Sequence, residues 1–208
     1  AANPVLNITG NLTQSYTGGS VRGFQIAASG GQVGSVNVSG SGILTLGSGM
    51  MFGDNGGGAG TMNISGGTVT TNGGVWWAGS NSTLNVTGGT FNAGSSMLDL
   101  GGGSGTTTST ISVSGTGLVN AGAIRFGIGG ASASTIINLG NGTAGGNLSI
   151  TGMSYSNGPS HTINFNGGTL TVGGVATIGT LTSGAANLNG TTSSVATLNG
   201  GTIVLGTT

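Results

Sequence analysis

The chain has 208 residues, 50 of them glycine, with no cysteine and only four charged side chains, Arg22, Asp54, Asp99 and Arg125. Two arginines and no lysine cannot neutralise a phosphate backbone, so nucleic acid is a poor partner, and anionic membranes are for the same reason. Without cysteine there is no disulfide framework and no thiolate metal site, and no apolar run reaches the eighteen residues a bilayer span needs.

Ala1-Ala2-Asn3-Pro4 reads as the end left by cleavage of an export leader. Val5-Leu6-Asn7-Ile8 follows at once, an apolar–polar–apolar alternation with the two-residue period of a half-buried strand. The clearest copy is Thr61-Met-Asn-Ile-Ser-Gly-Gly-Thr-Val-Thr70, which returns as Thr83–Asn92 and Thr162–Thr171. In it Met62 and Ile64 point inward and Asn63 outward. The Gly-Gly pair then turns the chain into a second strand, because glycine lacks the Cβ that forbids a tight bend.

The central polar residue of each triplet serves as a ruler: Asn7, Asn37, Asn63, Asn85, Ser112, Asn138 and Asn164. The intervals are 30, 26, 22, 27, 26 and 26 residues. Each suits one coil of a single-stranded parallel β-helix with three strands per coil. The second strand of each coil is Leu44–Leu46, Thr68–Thr70, Thr90–Asn92, Leu118–Asn120 or Thr169–Thr171. The third is Phe24–Ile26, Met51–Gly53, Val75–Gly79, Met97–Leu100, Ile124–Gly127 or Val175–Gly179, set off by glycine or serine breaks. Loops such as Asp54–Gly60 and Gly101–Thr108 absorb the variation in length. The pattern blurs over 140–160 and 180–199, where Asn187 and Asn199 compete as the next mark.

The expectation is therefore an all-β fold: one β-solenoid over residues 1–208, with no second domain. It has coils of about 22–30 residues, about seven or eight of them, and at 4.8 Å per coil a length of roughly 35–40 Å. A flexible, low-complexity chain is the competing reading of this composition, and the regular alternation of Ile, Leu, Val, Phe and Met argues against it. Charged residues make up 2%, where soluble domains carry about 25%. Copies lack charge repulsion, so assembly is the expected working state.

No catalytic, cofactor or metal site is expected. Asp54 and Asp99 lie 45 residues apart in different slots, which leaves no carboxylate pair across a bond. Asp99 and Arg125 share the third segment of neighbouring coils and should form a local ion pair. His161 is the only histidine, too few for a zinc site, and is placed at a corner beside Pro159. Of the adjacent Trp76 and Trp77 one faces the core and one faces out, a candidate contact for a neighbouring rod or a glycan. Nine Asn-x-Ser/Thr sequons occur, including Asn7, Asn37, Asn63 and Asn85. Their recurrence coil after coil favours a structural role, an amide ladder along the rod.

The repeats Thr61–Thr70, Thr83–Asn92 and Thr162–Val172, with weaker copies over most of Leu6–Leu205, resemble the Gly/Thr/Asn-rich β-strand repeats of bacterial autotransporter passengers. They are more similar still to exported repeat proteins of environmental bacteria that carry a PEP-CTERM-type sorting signal. The resemblance implies a secreted or surface-attached β-solenoid in a biofilm matrix, sheath or adhesive fibre. Together these readings point to a non-enzymatic subunit of an extracellular or cell-surface homopolymeric filament, not inserted in a membrane, with matrix polysaccharide as a further candidate partner. In the stacked polymer Ile203, Val204 and Leu205 would meet Val5, Leu6, Asn7 and Ile8 of the next copy, or a donated strand would join them. Ice binding through Thr68/Thr70 and Thr169/Thr171, or adhesion to glycans, is the alternative.

Overall fold

Residue-by-residue alternation closes into a three-sided parallel β-helix in the computed structural model. It describes residues 3–18, 23–28, 30–54, 57–79, 81–102, 106–128, 133–155 and 160–173, and the strands 181–182, 185–186, 195–198 and 202–205. The first coil comprises β1 (Val5–Ile8), β2 (Asn11–Gln14) and β3 (Phe24–Ile26); the second, β4 (Val33–Val38), β5 (Ile43–Leu46) and β6 (Met50–Phe52). The third contains β7 (Ala59–Ile64), β8 (Thr68–Thr71) and β9 (Val75–Trp77), and the fourth β10 (Ser82–Val86), β11 (Thr90–Asn92) and β12 (Met97–Leu100). In the fifth, β13 (Thr108–Val113) leads into one long strand, β14 (Leu118–Phe126), and in the sixth β15 (Ser134–Leu139) leads into β16 (Asn147–Tyr155). Beyond these stack β17 (Ser160–Phe165) and β18 (Thr169–Val172), then β21 (Val195–Leu198) and β22 (Thr202–Leu205), while β19 (Leu181–Thr182) and β20 (Ala185–Ala186) form a small antiparallel pair.

Six coils are thus complete among the described residues, where seven or eight were expected. The third strand expected at Val175–Gly179 lies outside the described residues, as do Arg22, Pro159, Asn187 and Asn199. Strands β7 and β13 also begin earlier than the loops Asp54–Gly60 and Gly101–Thr108 allowed, because a neighbouring coil pairs with their first residues. Ala59 N–H donates to Gln32 O of the preceding coil at 2.8 Å, and Thr108 is paired with Ser134 of the following one.

The first strands of the coils make one eight-stranded parallel sheet, in the order β1-β4-β7-β10-β13-β15-β17-β21. The second and third sides are not separate. They merge into a twelve-stranded sheet, because β14 and β16 run through both without a break. The expected interruption between second and third segments is absent there. A bend takes its place: Ala121 and Gly122 are buried in succession, and pairing with β16 steps from Ala121↔Ile150 to Ala123↔Gly152. This is where 140–160, irregular by sequence, joins the pattern.

Inward residues stack in columns. Val36, Met62, Leu84, Ile111, Ile137 and Ile163 form one on the first side, each at most 3% exposed. On the third side the Phe52 ring lies on Trp77 with centroids 4.6 Å apart and planes 11° from parallel. Burying each such side chain contributes about 1.5–3 kcal/mol. No single coil could enclose these groups; the neighbours do it.

The corners require glycine for two reasons. Gly67 has φ of 74°, and a Cβ there would overlap the carbonyl oxygen of Gly42 in the preceding coil. That oxygen accepts the N–H of Thr68 at 2.9 Å, so it cannot move aside without loosening the stack. At the other corner Gly53, Gly101 and Gly127 have φ of 69°, 75° and 67°, whereas the first coil places Ala27 there at 63°. A side chain in this left-handed region costs about 1–2 kcal/mol. We therefore expect Gly67→Ala to lower stability by more than about 1 kcal/mol, through backbone strain with overlap added. Ala27→Gly should raise it by up to about 1 kcal/mol, since relief of strain exceeds the added freedom of the unfolded chain. Thermal unfolding followed by circular dichroism would check both; an unchanged or lower midpoint for Ala27→Gly would contradict the strain at this corner.

Candidate functional site

On the outside of the first side the ruler residues stand in a single register. Asn7 lies opposite Asn37, and the column continues through Asn63, Asn85, Ser112, Asn138 and Asn164. Asn37 Nδ2 donates to Asn7 Oδ1 at 2.8 Å, Asn63 to Asn37 and Asn85 to Asn63 at 2.9 Å, and Asn164 to Asn138 at 2.8 Å. Ser112 breaks the series: its hydroxyl accepts from Asn138 at 3.2 Å. Every one of these bonds runs from the later coil to the earlier. The array therefore has a polarity, and Asn7, its first rung, accepts a bond.

The first coil differs from the rest in exposure. Leu6 and Leu12 occupy inward columns yet are 38% and 40% exposed, whereas Val36 and Leu44, their partners one coil on, are 3% and 0%. Val5 is also exposed, but Ile8 is buried, so only part of the expected N-terminal junction presents apolar surface. At the other end Ile203, Val204 and Leu205 lie in β22, paired with Leu170, Thr171 and Val172 of β18.

A second column, alternate to the core residues, runs down the third side through Gln25, Met51, Trp76, Asp99, Arg125 and Ser154, with Met51 itself fully buried. Asp99 and Arg125 make the expected pair, and it is bidentate: Nε donates to Oδ1 and Nη2 to Oδ2, both at 2.6 Å. The carboxylate holds Arg125 above its ordinary pKa, first through the hydrogen bond and then through charge, with burial opposing. The Arg125 side chain is 41% exposed, so the pair contributes roughly 0–1 kcal/mol. Trp76 faces out and is half-buried, its indole set against Gly102. Trp77 is the inward ring, wholly buried on Phe52, and drops out as a candidate contact for a neighbouring rod or a glycan. Strand alternation selects Trp76 alone.

An inward polar column was missed. Three residues before each ruler mark from Asn37 onward stand Gly34, Gly60, Ser82, Ser109, Thr135 and His161, of which the last four are each at most 1% exposed. Ser82 Oγ accepts from Gly60 N–H and Ser109 Oγ from Gly101 N–H, both at 3.0 Å; the Thr135 hydroxyl meets His161 Nδ1 at 2.7 Å. His161 is therefore an inward-facing residue next to the corner, at the start of the first side. It sits inside β17 with its ring 5.4 Å from that of Phe126. Carrying the alternation two residues further upstream would have revealed the column, because odd offsets from an outward asparagine point inward.

No family model, curated protein or solved structure matches the chain. The stacked amides yield a direct test. Asn63 makes two ladder bonds, so Asn63→Ala should cost about 1–2 kcal/mol. Conversely Ser112→Asn, which restores an amide at the break, should add about 0.5–1.5 kcal/mol. Denaturant titration reads both, and a Ser112→Asn midpoint at or below the parent would mean the column is not a cooperative array.

Proposed function

We propose that this chain is a structural, non-catalytic unit of an extracellular fibre or matrix, built by stacking copies coil on coil. The observation that carries this reading is the parallel in-register stacking by which each coil covers the next; Leu6 and Leu12 belong to inward columns of this stack but face solvent. A coil of a second copy would cover them as the second coil covers its neighbours, and would continue both sheets. Such a contact is heterologous and does not close, so it propagates. The near absence of charge supports it, since nothing holds copies apart. Placement outside the cell, on the surface or in a biofilm matrix, rests on the resemblance to exported repeat proteins.

A second reading, recognition of ice or of a neutral polysaccharide, draws on the outer columns of the second side. Thr68 and Thr70 stand in register with Thr90 and Asn92, and Thr169 and Thr171 with Asn147 and Ser149. Ile43 and Leu118 interrupt these hydroxyl and amide rows.

Purified protein observed by electron microscopy should form fibres of one coil cross-section, with a repeat of about 4.8 Å along the axis. Replacing Leu6 and Leu12 together by lysine should leave the sheet signal and abolish fibres, as should deletion of residues 198–208. Monomers at every concentration would overturn the stacking reading, and thermal hysteresis from such monomers would establish the second.

A further inference from the structure

We propose that Asn141 is an N-glycan acceptor of this chain. Nine Asn-x-Ser/Thr sequons are spread along it, and the fold treats them unequally. Asn37, Asn63 and Asn85 each commit Nδ2 to the preceding rung of the ladder, and Asn7 is held by Asn37 within β1. Asn11 and Asn147 open strands β2 and β16, whose backbone is paired with neighbouring coils. Asn81 precedes Ser82, which is fully buried, so that sequon cannot leave the sheet. Asn189 lies outside the described residues.

Asn141-Gly142-Thr143 is different on three counts. It occupies the turn from β15 to β16, residues 140–146, which is seven residues long; the other described turns from first to second side have two to four. All three residues of the sequon are exposed. Most tellingly, the side-chain amide is already divided by role. Asn141 Oδ1 accepts from Thr143 N at 3.1 Å, Thr143 Oγ1 at 3.0 Å and Ala144 N at 2.8 Å, while Nδ2 makes no bond among the described residues. Three donors on Oδ1 draw electron density off Nδ2, which makes its N–H more acidic and eases loss of the proton to a base, and Nδ2 is left open to an enzyme. The hydroxyl of the sequon is one of those donors, which gives Thr143 a chemical role and not only a place in a motif.

In the transfer, Nδ2 forms a bond to the anomeric carbon of a glycosyl phosphate or pyrophosphate donor. The bond from that carbon to the phosphate oxygen breaks, its electron pair leaves with the phosphate, and the proton lost by Nδ2 passes to a base of the transferase. The product is a glycan projecting sideways from a corner, clear of both ends of the coil stack. The inference therefore holds whether or not copies polymerise.

The test uses the full, folded chain in two arms: an oligosaccharyltransferase with a lipid pyrophosphate-linked oligosaccharide, and a soluble N-glycosyltransferase with a nucleotide-activated hexose. Site-resolved mass spectrometry should find the added glycan on Asn141 in at least one arm, which also identifies the donor class. Asn141→Gln and Thr143→Ala should abolish it, Thr143→Ser should retain it, and circular dichroism should show all three variants folded. An unmodified Asn141 in both arms would overturn the proposal. So would equal modification of Asn37, Asn63 or Asn85 in the folded protein, since the ladder would then offer no protection.

Discussion

Everything in this molecule depends on the backbone hydrogen bonds that tie each coil to the next in parallel register. They run along the rod on all three sides, and they place each residue over its counterpart one revolution earlier. That geometry turns a sequence repeat into columns: apolar columns inside, amide and hydroxyl columns outside, glycine at the corners. A residue type succeeds here only if it tolerates its own kind about 4.8 Å away.

The poverty of charge follows from this constraint. Like charges stacked at that spacing repel by about 1 kcal/mol even in water, at every rung. Asparagine escapes the penalty because its amide is both donor and acceptor, so one rung can give to the last and receive from the next. Serine at 112 cannot span the gap in the same way, and the array breaks there. The Asp99–Arg125 ion pair obeys the rule in reverse: the two occupy adjacent rungs with opposite sign.

The inside obeys a second rule. Where the third side turns into the first, backbone N–H groups point into the prism and need acceptors. Ser82 and Ser109 supply them, and Thr135 with His161 continues the same column. Among the described residues buried polar side chains cluster near the corners, Ser48 and Thr71 at the turn from second to third side as well, and Thr107 Oγ1 is buried without a partner, while the middle of each side remains aliphatic and aromatic. The side-chain N–H of Trp77 is an exception: it is buried without a partner among the described residues, where the ring stacks on Phe52.

Much of this was legible in the sequence, because strand alternation and recurrence are local properties. The fold class, the stacked asparagines, the glycine corners and the Asp99–Arg125 pairing all follow from counting residues between like positions. Tertiary structure decided what counting could not. It fused the second and third sides at β14 and β16, since a bend needs only a change of phase and no sequence break. It put His161 inside, Trp77 out of reach and Ile8 under cover while leaving Leu6 and Leu12 open, because burial depends on which coil lies above a residue. It also separated Asn141 from the ladder asparagines that share its motif: in the sheet the amide is spent on the neighbouring coil, and in the turn it is not.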